Sequence, residues 1–141
     1  MNVFCNNLKF LRENRHLSQK DMAVFLNISV NSYQRYEYGT REPNLLAISQ
    51  ISDFFQVPTD FLLGSGVFSN WEEIFHNKSV IIAAISGVAP KIGALLIDSD
   101  DITLFIKVLS QLVEKVVFDL KNQQVQVFYH FSCLSSLEPS D

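Results

Sequence analysis

Side chains that can hydrogen-bond to nucleic-acid bases and phosphates recur between residues 19 and 44 of this 141-residue chain. The amide of Asn31 has the donor and acceptor pattern that pairs with adenine, and the guanidinium of Arg35 matches guanine or a phosphate. The candidate residues for contact with DNA are Gln19, Ser29, Val30, Asn31, Ser32, Gln34, Arg35, Thr40, Arg41 and Asn44. These residue types predict a surface that reads base edges and holds the DNA backbone.

Two short helices joined by a tight turn must position these side chains. The first helix begins after Ser18, a favoured N-cap, and Asp21 lies three residues further on, at the capping-box position. The turn lies at residues 27–28, and the second helix covers residues 29–38 and ends at Gly39. Because a helix in this arrangement can enter the major groove of DNA, we expect residues 29–38 to contact base edges.

Three further predicted helices complete a five-helix domain. One covers residues 7–14, one follows Pro43, and a short one ends at the Gly64-Ser65-Gly66 segment, whose composition is typical of a linker. We therefore expect a helix-turn-helix DNA-binding domain at residues 1–66. Residues 67–141 are expected to form a helical dimerisation or regulatory region that ends in a frayed tail.

Residues 8–63 resemble the helix-turn-helix domain of the phage-repressor and Cro type, which belongs to the XRE-like family of transcriptional regulators. The resemblance is carried by Leu17, Ser18, Gln19, Ala23, Leu26, Ser29, Tyr36, Glu37, Gly39, Arg41, Glu42, Pro43, Leu46, Ile51, Val57, Leu62, Leu63 and Gly64. It implies that the second helix of the motif enters the major groove, that Gln19 holds a phosphate, and that the protein binds DNA as a dimer. The resemblance does not extend into the C-terminal half.

Two positions depart from the pattern of that family. Asn27 lies where glycine is usual, and Tyr33 lies where a small β-branched residue is usual. A tyrosine at this position predicts either a repacked core or a partly exposed ring. Glu37 is expected to pair with Arg41 or Arg12 rather than to read a base.

The C-terminal half is predicted to be helical, so that the fold class of the whole chain is all-α. An apolar run at residues 80–97, interrupted by Pro90, predicts a buried pair of helices. Residues 102–120 repeat apolar side chains at three- and four-residue steps, which predicts an amphipathic helix. Its apolar stripe is the expected dimerisation surface, formed by Ile102, Phe105, Ile106, Leu109, Leu112, Val113 and Val116.

Two alternatives remain open for this half. These helices could instead cover the helix-turn-helix core within one monomer. After Lys121, the alternation of apolar residues at positions 125–131 fits a strand, although the preceding helix could also continue.

The net charge of −4 is unevenly distributed along the chain. Residues 1–66 hold six cationic and six acidic side chains, whereas residues 67–141 hold five lysines against nine acidic residues. A neutral domain can still bind DNA where its cations face the phosphates.

The remaining polar residues favour a non-enzymatic protein. The three histidines and two cysteines lie in unrelated contexts, so we expect no catalytic residues, no metal and no cofactor. The N-terminus lacks a secretion signal, the apolar run at residues 80–97 contains Lys91, and reduced cysteines fit the cytoplasm. We therefore expect a cytoplasmic protein that does not enter a membrane.

The function that the sequence favours is a sequence-specific, DNA-binding transcriptional regulator, a repressor that acts as a homodimer. A second hypothesis is a switch in which a small molecule, a peptide or an antagonist protein binds the C-terminal helices. A pocket near Gly87, Pro90 and Gly93 would serve that purpose. A third hypothesis is an antitoxin-like interaction protein.

Overall fold

The computed structural model describes residues 2–119 and 121–130, and the chain divides into two compact units, Met1–Gly64 and Ser65–Asp141. The first unit contains α1 Asn2–Asn14, α2 Gln19–Leu26, α3 Val30–Tyr38, α4 Leu45–Phe55 and α5 Thr59–Leu63. The second unit begins with a 3₁₀ helix, Gly66–Asn70, followed by α6 Trp71–His76, α7 Lys78–Val88, α8 Pro90–Asp98, α9 Ile102–Leu112, β1 Val113–Asp119 and β2 Gln124–Tyr129.

Local capping signals set the helix ends around the turn between α2 and α3. Ser18 and Asp21 form the predicted capping box, in which each side chain accepts a hydrogen bond from the backbone N–H of the other. Asn27 adopts the left-handed conformation at φ 55°, and Gly39 ends α3 at φ 77°. The helix boundaries predicted for this motif are therefore confirmed, whereas α1 begins earlier than predicted, at Asn2.

The core of the first unit is formed by one face of each of its helices. Leu8 and Leu11 of α1, Met22 of α2, Ile51 of α4 and Phe61 of α5 are buried. Ala23 is also buried in α2, whose packing against α3 requires a small residue where two helix backbones approach. This packing fixes α3 at the surface, with only part of its circumference exposed.

The helix predicted over residues 102–120 is wrong in its second half. The helix ends at Leu112, and residues 113–119 form β1, which pairs antiparallel with β2. The side chain of Asp119 accepts hydrogen bonds from the backbone N–H groups of Lys121 and Asn122, at 3.0 and 3.2 Å, and so organises the turn. The predicted mostly helical fold is confirmed, with this hairpin as its exception, and the strand interpretation of the region after Lys121 is correct for residues 124–129.

The apolar stripe that was expected to meet a second subunit is already buried within the chain. Ile102, Phe105, Ile106, Leu109, Leu112, Val113 and Val116 all lie in the interior. The ring centroids of Trp71 in α6 and Phe105 in α9 lie 6.2 Å apart, which shows part of what covers the stripe. Since these side chains are buried in a single chain, the second unit needs no partner chain to cover them.

An open groove of about 510 Å³ lies along α7 and α8. Its apolar lining is Ile82, Ala83, Leu96 and Ile97, and its polar lining includes His76, Lys78 and Asp100. The residues expected to form a pocket, Gly87, Pro90 and Gly93, do not line this groove.

Helices α7 and α8 cross closely at Gly93. Pro90 begins α8 and separates it from α7, as predicted. A Cβ atom added at Gly93 would lie 2.6 Å from Cβ and 2.7 Å from Cα of Ser86 and would also collide with the Ser86 hydroxyl. The absence of a side chain at Gly93 is therefore what allows the two helices to pack.

Replacing Gly93 with alanine should lower the free energy of unfolding by about 1–3 kcal/mol, because the added methyl group forces α7 and α8 apart. Urea denaturation followed by circular dichroism measures the change. Gly87→Ala is the matched control, since a Cβ at Gly87 meets nothing within 4 Å and removing a helical glycine should raise stability by up to about 1 kcal/mol. Equal effects of the two substitutions would contradict the close crossing.

Candidate DNA-binding interface

The predicted contact residues all lie at or near the surface of the first unit. Gln19, Ser32 and Gln34 are half-buried, and Ser29, Val30, Asn31, Arg35, Thr40, Arg41 and Asn44 are exposed. None of the ten is buried, so the fold leaves each of them accessible to a ligand. Val30, Asn31, Gln34 and Arg35 belong to α3, and Gln19 is the first residue of α2.

Beneath this surface, the carboxylate of Glu37 joins three helices. Arg12 of α1 donates from Nε to Oε1 at 2.5 Å and from Nη2 to Oε2 at 3.2 Å. Gln19 of α2 donates to Oε2 at 3.0 Å, and the hydroxyl of Tyr33 donates to Oε1 at 2.8 Å. The expected pairing of Glu37 with Arg12 is confirmed, whereas the guanidinium of Arg41 lies 6.0 Å from the ring centroid of Tyr36.

The ionisation of Glu37 follows from this set of donors. Burial raises the pKa of its carboxyl, but the hydrogen bonds from Arg12, Gln19 and Tyr33 together outweigh burial, so the pKa lies below its ordinary value. The hydrogen bond to Glu37 also raises the pKa of Arg12, and burial raises the pKa of Tyr33. Glu37 is therefore a carboxylate and Arg12 a cation at neutral pH.

Tyr33 departs from the family pattern by adding a member to this cluster. Its side chain is fully buried, so the expectation of a partly exposed ring is wrong and that of a repacked core is right. A valine or isoleucine at this position would fill the core without donating a hydrogen bond. The tyrosine hydroxyl instead supplies one of the donors that compensate for burial of the Glu37 carboxylate.

Two hydrogen-bonded side-chain amides, those of Gln19 and Gln34, link the Glu37 cluster to the surface. Because the Glu37 carboxylate only accepts hydrogen bonds, the amide nitrogen of Gln19 must face it, and the carbonyl oxygen of Gln19 faces the other way. That oxygen accepts a hydrogen bond from Nε2 of Gln34 at 3.0 Å. The orientations of Gln19 and Gln34 are thus set from inside the protein, which the sequence did not indicate.

Several of the predicted contact residues also have structural roles. The hydroxyl of Ser29 caps α3 by accepting from the backbone N–H of Ser32, and its own proton goes to the Ser32 hydroxyl. The side-chain oxygen of Asn44 caps α4 by accepting from the backbone N–H of Ala47 at 2.8 Å. Ser29 and Asn44 therefore cap helices and also lie on the predicted DNA-binding surface.

The side chains of Asn31 and Arg35, in contrast, make no hydrogen bond or ion pair within the part of the chain that the structure describes. Arg35 is therefore not held in a salt bridge to a neighbouring acid among the described residues. Its guanidinium and the amide of Asn31 are free to meet an external partner with complementary hydrogen-bonding groups.

The comparisons with known proteins agree with this geometry. The sequence profile of the family described as Helix-turn-helix matches residues 8–62. The SPbeta prophage-derived uncharacterized HTH-type transcriptional regulator YonR of Bacillus subtilis (strain 168) is 36% identical over 87 residues, which cover 61% of this chain and 81% of that protein. This chain belongs to the XRE-like helix-turn-helix family.

Other relatives of this helix-turn-helix protein are named as regulators. The cryptic phage CTXphi transcriptional repressor RstR of Vibrio cholerae is 32% identical over 83 residues, which cover 59% of this chain and 74% of that protein. The HTH-type transcriptional regulator ImmR of Bacillus subtilis (strain 168) is 34% identical over 74 residues, which cover 52% of this chain and 58% of that protein. No solved structure gives a significant match.

Not every cation of the helix-turn-helix unit is available for DNA. Arg12 is bound to Glu37, and Arg15 donates to the backbone carbonyls of Phe54 and Phe55 at 2.9 and 3.0 Å, which end α4. Only the role of Arg15 was not visible in the sequence, because Phe54 and Phe55 lie 39 and 40 residues away along the chain. Arg35 and Arg41 remain as exposed arginines beside α3.

The described part of this helix-turn-helix protein holds neither a metal cluster nor a helix that could span a membrane. Over residues 2–119 and 121–130, no group of three or more His, Cys, Asp or Glu residues is placed to hold a metal ion. Among the helices of these same residues, none is both long and apolar enough to cross a bilayer.

Proposed function

We propose that this protein is a sequence-specific DNA-binding repressor that acts as a homodimer, with α3 in the major groove. The observation that carries this proposal is the pair of exposed, unpaired polar side chains on α3, Asn31 and Arg35, above a fully hydrogen-bonded Glu37. This amide and guanidinium are suited to base edges, because binding breaks no hydrogen bond or ion pair that they make in the described part of the chain. One relative, RstR, is named as a transcriptional repressor.

The contacts divide into two kinds. Val30, Asn31 and Arg35 lie on the part of α3 that would face the bases, where Val30 suits a thymine methyl group, Asn31 suits adenine and Arg35 suits guanine. Gln19, through its backbone N–H at the start of α2, and Arg41 after α3 would hold phosphates on either side of the groove. Gln34, oriented by Gln19, would lie between the two sets.

Dimerisation follows from the small number of these contacts. The first unit has no net charge by formal count, so its attraction to the phosphates comes from the few cations that face them. One short helix with a few base contacts gives limited affinity, and two copies on adjoining half-sites raise both affinity and specificity.

Selection of bound fragments from a random DNA pool by the full chain tests this function. We expect an inverted repeat whose half-sites are centred about 10–10.5 base pairs apart, or a multiple of that spacing, because the second α3 must reach the next turn of the groove. Binding should also weaken as salt concentration rises. Enrichment of no sequence would contradict the proposed function, and enrichment of a single, unrepeated half-site would contradict the dimer.

A further inference from the structure

The two outer edges of the β-hairpin differ in how well they are protected from pairing with another strand. Strand β1 contains an irregularity between Val113 and Lys115, carries Glu114, Lys115 and Asp119, and lies close to the 3₁₀ helix. Bulges, charges and covering elements are the usual means by which proteins block a strand edge. Strand β2, with the sequence QVQVFY, is regular and has no charge, proline or glycine.

The backbone of β2 presents regularly spaced hydrogen-bonding groups at its outer edge. His130 donates its N–H to the carbonyl of Leu112 across the hairpin at 3.0 Å. Since residues of an antiparallel strand alternate between facing the partner and facing away, the N–H and C=O groups of Val125, Val127 and Tyr129 face outward. Over the described residues, the sheet contains β1 and β2 alone, so no third strand among them pairs with the outer edge of β2.

The side chains of β2 alternate in burial, which shows that its own unit covers one face of the strand. Val125, Val127 and Tyr129 are half-buried, whereas Gln124, Gln126 and Phe128 are exposed. Helix α7 approaches β2, and burial of alternate residues places the covering elements on one face of the strand. The half-buried face has apolar area left to bury, which an added strand at the edge would cover.

We infer, on the basis of the homodimer proposed above, that β2 pairs antiparallel with β2 of a second copy about a two-fold axis near Gln126 and Val127. The two hairpins then form a four-stranded sheet. A second copy is the occupant that fits, because the strand is uncharged and therefore meets its own copy without repulsion. Antiparallel pairing about a two-fold axis also brings β-branched and aromatic residues of the same face together.

Burial of the apolar stripe on α9 also favours β2 as the dimer surface. The apolar residues that the sequence predicted for dimerisation are used inside the chain, so a dimer must form through another surface. Over the described residues, the outer edge of β2 has regularly spaced backbone groups with which a second copy can pair. The exposed apolar side chains elsewhere are scattered and do not form such a regular surface.

Charge substitutions at Gln126 test this pairing in the full chain. Gln126→Lys and Gln126→Glu each place like charges near one another across the axis, and should each weaken the dimer by roughly two- to fivefold. Mixing the two variants should give a heterodimer that is tighter than either homodimer. Analytical ultracentrifugation measures the dissociation constants. Val117→Lys is the matched control, because Val117 lies opposite Gln126 on the same exposed face but on β1, one strand further from the axis.

The backbone is tested separately with Val127→Pro, which removes an outward N–H while the hydrogen bonds to β1 remain. We expect a folded monomer, by circular dichroism and sedimentation, at concentrations where the wild type is a dimer. A dimer whose dissociation constant is unchanged by the charge variants and by Val127→Pro would overturn pairing through β2 and leave the proposed function standing. A monomeric wild type would overturn both the homodimer and the pairing.

Discussion

Replacing Arg35 with alanine is expected to weaken binding of the dimer to its selected operator by about 2–6 kcal/mol. A bidentate arginine–guanine contact contributes about 1–3 kcal/mol of base discrimination, and the operator holds one copy of Arg35 in each half-site. The substitution should not disturb the fold, because the side chain is exposed and makes no hydrogen bond or ion pair in the described part of the chain. Fluorescence anisotropy with the selected operator at fixed salt measures the loss.

Lys9→Ala is the control for the loss of one positive charge. Lys9 lies on α1, outside the predicted interface, and its amine is 4.0 Å from the carboxylate of Glu13 at the surface. We expect the free energy of DNA binding to change by less than about 0.5 kcal/mol, because Lys9 does not face the DNA and the loss of its exposed ion pair has little effect on the fold. The Arg35 variant should also lose discrimination at one base pair of each half-site. Equal effects of the two substitutions on affinity would contradict base reading by Arg35.

Replacing Glu37 with alanine is expected to lower the free energy of unfolding by about 3–5 kcal/mol. The substitution removes the acceptor shared by Arg12, Gln19 and Tyr33. It leaves the buried Tyr33 hydroxyl without this acceptor, and the half-buried Arg12 keeps only the Leu17 carbonyl and the exposed Glu13. Urea denaturation followed by far-ultraviolet circular dichroism reports the loss of helix. Glu13→Ala is the control, since Glu13 also approaches Arg12 but is exposed, and should change stability by less than about 0.5 kcal/mol.

The contribution of Glu37 also has a defined pH dependence. Because its pKa is lower in the folded chain than the ordinary value of 4.5, the stabilisation is complete above pH 4.5 and is lost as pH falls through the folded value. The wild type should therefore lose stability below pH 4.5 more steeply than Glu37→Gln, which has no carboxylate to protonate. Parallel pH profiles for the two proteins would contradict an ionised Glu37 as the centre of the cluster.

These two expectations concern an upper layer, the exposed side chains of α3, and a lower layer, the buried cluster around Glu37. Arg35 acts directly on DNA, whereas Glu37 holds α1, α2 and α3 together and orients Gln19 and Gln34. A conservative substitution in the lower layer, Tyr33→Phe, removes a single donor to the carboxylate and leaves Arg12 and Gln19 in place. The Glu37 carboxylate thus accepts hydrogen bonds from several side chains, and these bonds hold Gln19, and through it Gln34, in one orientation.

The hairpin shows where a sequence pattern permits more than one structure. An apolar residue at every third or fourth position over 102–120 satisfies a helix, but Val113, Val116, Val117 and Phe118 also have high strand propensity. What ends the helix at Leu112 is the pairing of residues 113–119 with residues 124–129, together with the turn at Asp119. The periodicity of residues 102–120 contains no information about the partner strand, so by itself it predicts a helix that is too long.

The sequence by itself determined the motif, because its signals are local. Ser18 and Asp21 are three residues apart, and Gly39 directly follows the helix it ends, so capping and turn preferences are visible in neighbouring residues. The sequence allowed either Arg12 or Arg41 as the partner of Glu37. The tertiary structure decided for Arg12, 25 residues away, and added Gln19, 18 residues away. It also decided that the stripe on α9 is buried. Such contacts depend on which faces of the helices meet, and that depends on the packing of the whole chain.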